Sequence, residues 1–148
     1  MRKPPIHKSF LNAFRGIFFI LKSERNFQLE VFAFFINIFL IFYLKLSIFD
    51  TILILIVSFG VLVAEIFNTA IEKICDIIQP EFDKRIGFIK DVSAGAVTLM
   101  AILSVIVGVL VYWKYFQLNC NYFNQAINSH GFLRFSQILY LKITLDSM

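Results

Sequence analysis

Long apolar runs separated by short polar segments dominate the pattern along this chain. Three of them are candidate membrane spans: VFAFFINIFLIFYL (31–44), TILILIVSFGVLVAEIFNTAIEKI (51–74) and VSAGAVTLMAILSVIVGVLVYW (92–113). About 20 apolar residues are needed to cross the roughly 30 Å hydrocarbon core of a bilayer as a helix. The third run meets this length without a charged residue, and the first meets it if its helix begins near Phe27. The pattern therefore predicts an all-α membrane protein with three transmembrane helices.

A different pattern precedes the first run, from about His7 to Ser23. Apolar residues recur on one side of a predicted helix, while basic and amide residues fall elsewhere; the apolar set is Phe10, Phe14, Ile17, Phe18 and Leu21, and the polar set is Lys8, Asn12, Arg15 and Lys22. This pattern is typical of an amphipathic helix that lies in the membrane interface. The alternative is an amphipathic helix packed on a soluble domain, and no such domain is visible in the pattern.

Composition supports a membrane protein and argues against other classes. Of the 148 residues, 59% are hydrophobic, against about 45–50% in soluble domains. The net charge of +4 comes from residues at the edges of the apolar runs rather than from a basic patch with interleaved aromatics, so nucleic-acid binding is not expected. Cys75 and Cys120 lack metal-ligand spacing. The basic N-terminus lacks a clean apolar core and a small-residue cleavage site, so it is not interpreted as a removable signal peptide.

The distribution of positive charge predicts the orientation of the spans. Cytoplasmic segments of membrane proteins carry an excess of Lys and Arg. Such residues are abundant before the first span and after the second, whereas Lys45 is the one between these spans; the abundant set is Arg2, Lys3, Lys8, Arg15, Lys22, Arg25, Lys73, Lys84, Arg85 and Lys90. We therefore expect the N-terminus and the loop at 75–91 to be cytoplasmic, and the chain after Lys114 to lie outside.

Four polar residues interrupt the end of the second span, in VLVAEIFNTAIEKICD (61–76). With Glu65 at zero on a helix that turns about 100° per residue, Asn68 lies near about −60°, Glu72 near about −20° and Asp76 near about +20°. They form a single stripe about three turns long, which we call the polar stripe. Intramembrane carboxylates are costly and by default line a protein interior or a hydrated site. The alternative is that the helix simply emerges into the cytoplasm and that its last acids are solvated.

Two further polar groups are predicted at the same membrane boundary. Glu24 ends the amphipathic helix, and together with Glu72 it offers two carboxylates of the kind that hold Mg²⁺ alongside phosphate and water; the alternative is a salt bridge from Glu24 to a neighbouring Lys. Lys90 and Asp91 precede the third span. Lys90 is suited to anchor the helix in the headgroups or to meet phosphate as a point charge, and Asp91 is suited to cap the helix.

Common nucleotide-binding motifs are missing from the sequence. It contains neither the P-loop pattern G-x-x-x-x-G-K-[ST] nor the Gly-rich and catalytic-loop signatures of protein kinases. A site for ATP in this chain would therefore be of another kind.

The segment AEIFNTAIEKICD, preceded by SERNF and followed by KDVSAGAV, resembles the prokaryotic diacylglycerol kinases, small three-span membrane enzymes unrelated to soluble kinases. The resemblance covers roughly residues 8–114. The segments SERNF and NTAIE are more similar to the undecaprenol-kinase-like branch of the family than to its enterobacterial branch. It implies an ATP- and Mg²⁺-dependent lipid kinase acting on diacylglycerol or undecaprenol in the bacterial cell membrane. It also implies a homotrimer whose active sites lie between protomers at the cytoplasmic membrane surface.

The resemblance also implies roles for individual residues. Glu24 and Glu72 would coordinate Mg²⁺ on the ATP phosphates, Glu65 would be the general base facing the lipid hydroxyl, and Asn68 would orient that substrate. Contacts to the nucleotide would come from Lys90, Asp91 and the loop residues Glu81, Phe82 and Asp83. Family members often carry Tyr-His where this chain has Phe82-Asp83, so the side-chain contacts of that pair are not carried over to this chain, whereas a backbone contact is compatible with either pair.

Residues 1–116 are thus predicted to be the membrane lipid kinase domain. Residues 117–148 form a tail without a counterpart in the family pattern, whose later half is expected to be an irregular strand pair or a surface-lying segment. Two other classes stay open at this point: a small ion- or proton-coupled transporter with Glu65 as the titrating group, and a non-catalytic membrane scaffold. Three spans are few for a transporter, and a scaffold leaves the cost of Glu65 unexplained.

Overall fold

The structure is a computed structural model that describes the backbone of residues 5–145 and the side chains as far as Asn121. Within these residues the regular structure is helical, in the order α1 (Ile6–Ser23), α2 (Arg25–Leu44), α3 (Ile48–Ile78) and α4 (Lys84–Leu145). Three segments are long and apolar enough to cross a membrane, namely Arg25–Leu44, Ile48–Ile78 and Lys84–Asn121. These confirm the three predicted spans, each of them longer than its apolar run. By contacts the chain divides into two units, residues 1–109 and 110–148.

A single extended residue separates α1 from α2. Glu24 has φ −108° and ψ 115°; its N–H donates to the Ile20 carbonyl at 2.9 Å, and its carbonyl accepts from the Gln28 N–H at 3.2 Å. The Gln28 side chain also donates to the Leu21 carbonyl at 3.0 Å. One residue therefore ends the first helix and begins the second, and Gln28 satisfies a helix-end carbonyl that would otherwise lack a partner. This geometry fixes Glu24 at the beginning of the first span.

The turn between α2 and α3 has defined caps at both ends. Lys45 adopts a left-handed conformation with φ 52°, and the Leu46 N–H donates to the Ile41 carbonyl at 3.1 Å, the pattern of a Schellman motif. Ser47 then caps α3: its hydroxyl accepts from the Asp50 N–H at 3.2 Å and donates to the Asp50 carboxylate at 2.8 Å. The reciprocal pairing resembles a capping box. The short, well-capped turn makes α2 and α3 antiparallel neighbours.

Helix α3 is the longest fully described apolar helix and carries most of the buried residues. Its 31 residues correspond to about 46 Å, which exceeds the roughly 30 Å hydrocarbon core. About a third of it must therefore lie outside that core, and the polar stripe, which begins at Glu65, lies in its C-terminal half. Phe59 packs on Phe34 of α2 with ring centroids 5.0 Å apart, and Gly60 faces Met100 of α4 so closely that an added Cβ would collide with the Met100 side chain.

Large apolar side chains cover the outside of this small bundle. Phe32, Phe35 and Phe39 on α2 are all more than 60% exposed, which in water would be an extensive apolar surface. Lipid is the solvent that accommodates them. The chain is therefore a multi-pass membrane protein with a small internal core and an apolar exterior.

Two expectations about helix boundaries and the tail were wrong. The loop expected at 75–91 is limited to residues 79–83, because α3 extends to Ile78 and α4 begins at Lys84. The strand pair expected as one alternative for the later half of the tail was wrong, because the backbone is helical as far as Leu145. Of its side chains beyond Asn121 the structure describes nothing.

Candidate active site

The polar stripe lies on α3 as the helical period predicts, and its burial changes with depth. Glu65 is 4% exposed and Asn68 is 8% exposed, whereas Glu72 is half-buried and Asp76 is exposed. The alternative that this helix end is simply solvated thus holds for Asp76 and is wrong for Glu65. A buried carboxylate within a membrane helix is expensive, so the first two positions belong to a built site rather than to a fraying helix end.

Asn68 connects the stripe to α4. Its Nδ2 donates to Glu72 Oε1 at 3.0 Å, and its Oδ1 accepts from the Ser93 hydroxyl at 2.5 Å. Ser93 is 8% exposed, and its single hydroxyl proton is shared with the Lys90 carbonyl, 3.0 Å away. With one acceptor and one donor engaged, the amide has a fixed orientation. Ser93 is a site residue that the sequence pattern did not indicate.

Three carboxylates approach one another around Glu65. Glu72 and Glu24 both act electrostatically on the Glu65 carboxyl, although they come from the end of α3 and the junction of α1 and α2. Glu24 Oε1 forms an ion pair with Lys73 Nζ at 3.1 Å. The alternative for Glu24, a salt bridge to a neighbouring lysine, is therefore confirmed, while Glu24 still acts electrostatically on Glu65.

The stripe ends at an ion pair between α3 and α4. Lys90 Nζ contacts Asp76 Oδ1 at 2.5 Å, and their side chains are 35% and 57% exposed. Because the pair is solvated, it contributes little to stability. It does place the ammonium of Lys90 at the exposed end of the same stripe that begins at Glu65.

The expected cap at Asp91 was wrong. Asp91 is exposed within α4, which begins seven residues earlier, and Asp83 caps the helix by accepting from the Arg85 N–H at 2.8 Å. The Arg85 guanidinium, with smaller contributions from backbone N–H groups, lowers the pKa of the Asp83 carboxyl. The ionised Asp83 carboxylate therefore stabilises the folded state at pH values above the ordinary carboxyl pKa. This stabilisation is lost as pH falls through the lowered pKa.

The remaining loop residues of the predicted site face solvent. Glu81 is exposed and Phe82 is 90% exposed, in the short connection between α3 and α4. Of the site residues, Asn68 is hydrogen-bonded to Glu72 and Ser93, and Glu72 acts electrostatically on Glu65. Glu81 and Phe82 contribute to none of these interactions and are exposed to solvent.

The sequence that forms this site is similar to sequences of known membrane enzymes. The prokaryotic diacylglycerol kinase family matches residues 11–112. The undecaprenol kinase of Bacillus subtilis is 36% identical over 105 residues, which cover 71% of this chain and 85% of that protein. The diacylglycerol kinase of Synechocystis is 31% identical over 106 residues, covering 71% of this chain and 61% of that protein. The match contains the whole polar stripe and both of its partner segments, and on this basis the chain belongs to the prokaryotic diacylglycerol kinase family.

Proposed function

We propose that the chain is an ATP- and Mg²⁺-dependent lipid kinase that phosphorylates the hydroxyl of a membrane lipid. The observation that carries the proposal is the buried Glu65, within electrostatic range of Glu24 and Glu72, in a member of a lipid kinase family. Phosphoryl transfer requires chiefly positioning and charge neutralisation. The polar stripe offers positioning at the depth where a lipid headgroup and a water-soluble nucleotide meet. Neutralisation would come from Mg²⁺ held by carboxylates and from Lys90 at the end of the stripe.

Glu65 is the general base in this proposal. A base must lie within hydrogen-bond reach of the proton that it accepts, and the acceptor hydroxyl of a lipid arrives from the side, at membrane depth. Glu65 is the deepest acid of the stripe and is nearly inaccessible to water. It would accept the hydroxyl proton as the lipid oxygen bonds to the γ-phosphorus of ATP and the bond from that phosphorus to the bridging oxygen breaks, which releases ADP.

Glu24 and Glu72 are the proposed residues for Mg²⁺. Within the part of the chain that the structure describes, no three His, Cys, Asp or Glu residues gather as a complete metal site. Two hard carboxylate donors nevertheless fit this ion, which usually takes one or two carboxylates and completes its octahedron with water and substrate phosphates. When bound, Mg²⁺ supplies neutralisation of the phosphate charge. Lys73 competes for Glu24 in the ion pair described above and would be displaced.

Asn68 is proposed to orient the acceptor and Glu72 together. Its amide is held between Ser93 and Glu72, so that a change at Ser93 should disturb the stripe without touching a charge. We expect Ser93→Ala to lower lipid phosphorylation about 10-fold, the size typical of losing a group that orients a ligand residue. Steady-state rates in vesicles would measure this, and Thr98→Val, an exposed hydroxyl on the same helix, is the matched control. An unchanged rate in Ser93→Ala would contradict the role of Asn68.

Contacts to the nucleotide are proposed for two residues of α4, Lys90 and Asp91, and for three residues of the preceding loop, Glu81, Phe82 and Asp83. The Lys90 ammonium lies at the exposed end of the stripe and would exchange Asp76 for phosphate. Glu81 and Phe82 are open to solvent, and Asp83 is engaged as the cap of α4 and with Arg85, so that backbone groups are the available donors of this loop.

Replacing Lys90 by Met should weaken nucleotide binding in particular. A hydrogen bond to a charged group is worth about 1.5–3 kcal/mol, so KM for ATP should rise at least about 10-fold while the apparent KM for the lipid changes little. Lys114→Met is the control, since this lysine lies 24 residues further along the sequence and outside the predicted site. Equal changes in both KM values would indicate a general defect instead.

Placement in the membrane completes the proposal. The charge pattern favours a cytoplasmic N-terminus in the bacterial cell membrane, with α1 lying in the interface through its apolar side. The exposed apolar surface of α2 and α3 is compatible with a homotrimer, in which a neighbouring protomer would close each site. ATP, the lipid and a second copy of the chain are therefore the proposed partners.

The acceptor is proposed to be undecaprenol or diacylglycerol, with undecaprenol the first to test because the Bacillus subtilis relative carries that name. The test is competition between the two lipids in one vesicle, with ATP labelled at its γ-phosphate and the two products separated. Preferential labelling of one lipid identifies the acceptor. Label in neither lipid, with proton flux through the same vesicles, would instead support the transporter.

A further inference from the structure

A small cavity lies between α2, α3 and α4, deeper in the membrane than the polar stripe. Its volume is about 70 Å³, and its lining comprises Glu30, Ala33, Phe34, Asn37, Ser58, Val61 and Ser104. Four of these seven residues carry polar side chains, which is unusual at this depth. Asn37 lies 12 residues into α2, about 18 Å along the helix axis, and is therefore within the hydrocarbon region.

One buried oxygen atom in the cavity wall lacks a hydrogen-bond donor within the described part of the chain. Oε2 of Glu30 is buried and has no hydrogen-bond partner among the described residues. In lipid, every polar group must be satisfied within the protein or by water that the protein encloses. A carboxylate oxygen accepts hydrogen bonds, so whatever occupies the cavity must bring a donor.

The opposite wall offers further hydrogen-bonding groups. The Asn37 amide donates to Ser58 Oγ at 3.2 Å, which ties α2 to α3 and leaves the Ser58 hydroxyl able to donate in turn. Ser58 is 7% exposed. An occupant of the cavity thus meets an acceptor at Glu30 and a donor at Ser58, and a second hydroxyl at Ser104.

We propose that this cavity is an intramembrane water-binding site. Water is the ligand that donates to Glu30 Oε2 and accepts from Ser58 simultaneously, and one molecule needs only about 10–15 Å³ of such volume. An acyl or prenyl segment brings no donor and would leave the carboxylate oxygen unsatisfied. Apolar cavities stay dry, whereas a polar cavity of this size holds ordered water.

The site is distinct from the proposed catalytic residues yet close to them. Glu65 acts electrostatically on the Glu30 carboxyl, so that two acids from neighbouring helices approach each other within the membrane. Bound water solvates Glu30 on the side facing the cavity. Glu30 is thus a second intramembrane acid, and the water that solvates it is held by the polar wall of Asn37, Ser58 and Ser104.

The test is water-to-protein magnetisation transfer in solid-state NMR of the full chain in lipid bilayers, without nucleotide. We expect the backbone amides of Ala33 and Val61, which line the cavity in every variant, to receive water magnetisation. Amides of Phe35 and Phe39, on the lipid-facing side of α2, should receive little. In Asn37→Leu/Ser58→Ala, which keeps the approximate size of the wall and removes two of its three polar side chains, transfer to Ala33 and Val61 should fall at least about fivefold. Thr98→Val should leave it unchanged.

Two results would overturn the water site. One is transfer to Ala33 and Val61 from lipid methylene protons rather than from water in the unaltered chain. The other is equal water transfer in the unaltered chain and the double variant. If the double variant does not fold, Ser58→Ala alone should reduce the transfer in the same direction. Because the measurement uses no ATP and no acceptor lipid, its outcome is independent of the proposed kinase activity.

Discussion

Replacing Glu65 by Gln is expected to reduce lipid phosphorylation by about 10²–10⁴-fold, the range that a positioned general base contributes. Glutamine keeps the size of the buried side chain and its hydrogen-bonding capacity but has no basic oxygen at neutral pH. The loss should therefore appear in kcat, while KM for ATP changes little. Initial rates of label transfer from ATP to lipid, measured in vesicles at saturating nucleotide, give this directly.

Asp50→Asn is the matched control for this experiment. Asp50 is also a buried acid on α3, at 7% exposure, but it lies 15 residues before Glu65, about 22 Å along the helix. If burial of an acid on this helix were important only for folding, the two variants would behave alike. A Glu65→Gln enzyme that retains more than about a tenth of the normal rate would remove Glu65 as the base.

Replacing Glu72 by Gln should produce the second large effect, in the dependence on Mg²⁺. Removing residues that merely orient a metal ligand costs about 10–100-fold, and a direct carboxylate ligand should cost no less. We therefore expect the rate at low Mg²⁺ to fall at least about 100-fold and to recover in part as Mg²⁺ is raised. The measurement is the rate as a function of Mg²⁺ at fixed ATP.

Lys73→Met sharpens the interpretation of that titration. It removes the partner of Glu24 at 3.1 Å and so frees a carboxylate for the ion, and it should shift the Mg²⁺ requirement to lower concentration. An unchanged Mg²⁺ dependence in Glu72→Gln would assign the lost activity to something other than metal binding.

The main features of the fold and the stripe were predictable from periodicity. Apolar runs of spanning length predicted α2, α3 and the membrane part of α4, and the spacing of Glu65, Asn68 and Glu72 predicted a shared face on one helix. These features depend on residues near one another in sequence. The gradient from a buried Glu65 to an exposed Asp76 followed from where the run becomes polar.

Features that depend on contacts between helices were not predictable in the same way. The contact of Ser93 with Asn68 depends on how α3 and α4 approach each other, in part through the close contact of Gly60 with Met100. The pair of Lys73 with Glu24 and the cavity around Glu30 depend on how the beginning of α2 lies beside α3. The cap was misplaced to Asp91 because the turn after Asp83, KRIGFIK, is polar enough to resemble a loop although it is helical. The helical tail was missed because its amides and aromatics lack a clear helical period.

The most direct test of the central claim is transfer of the labelled γ-phosphate of ATP into the lipid phase, by the full chain in vesicles that contain undecaprenol and diacylglycerol. The proposed function predicts Mg²⁺-dependent label in one of these lipids with the unaltered chain, and almost none with Glu65→Gln in the same vesicles. Vesicles in which the folded, unaltered chain transfers no label to either lipid would contradict it.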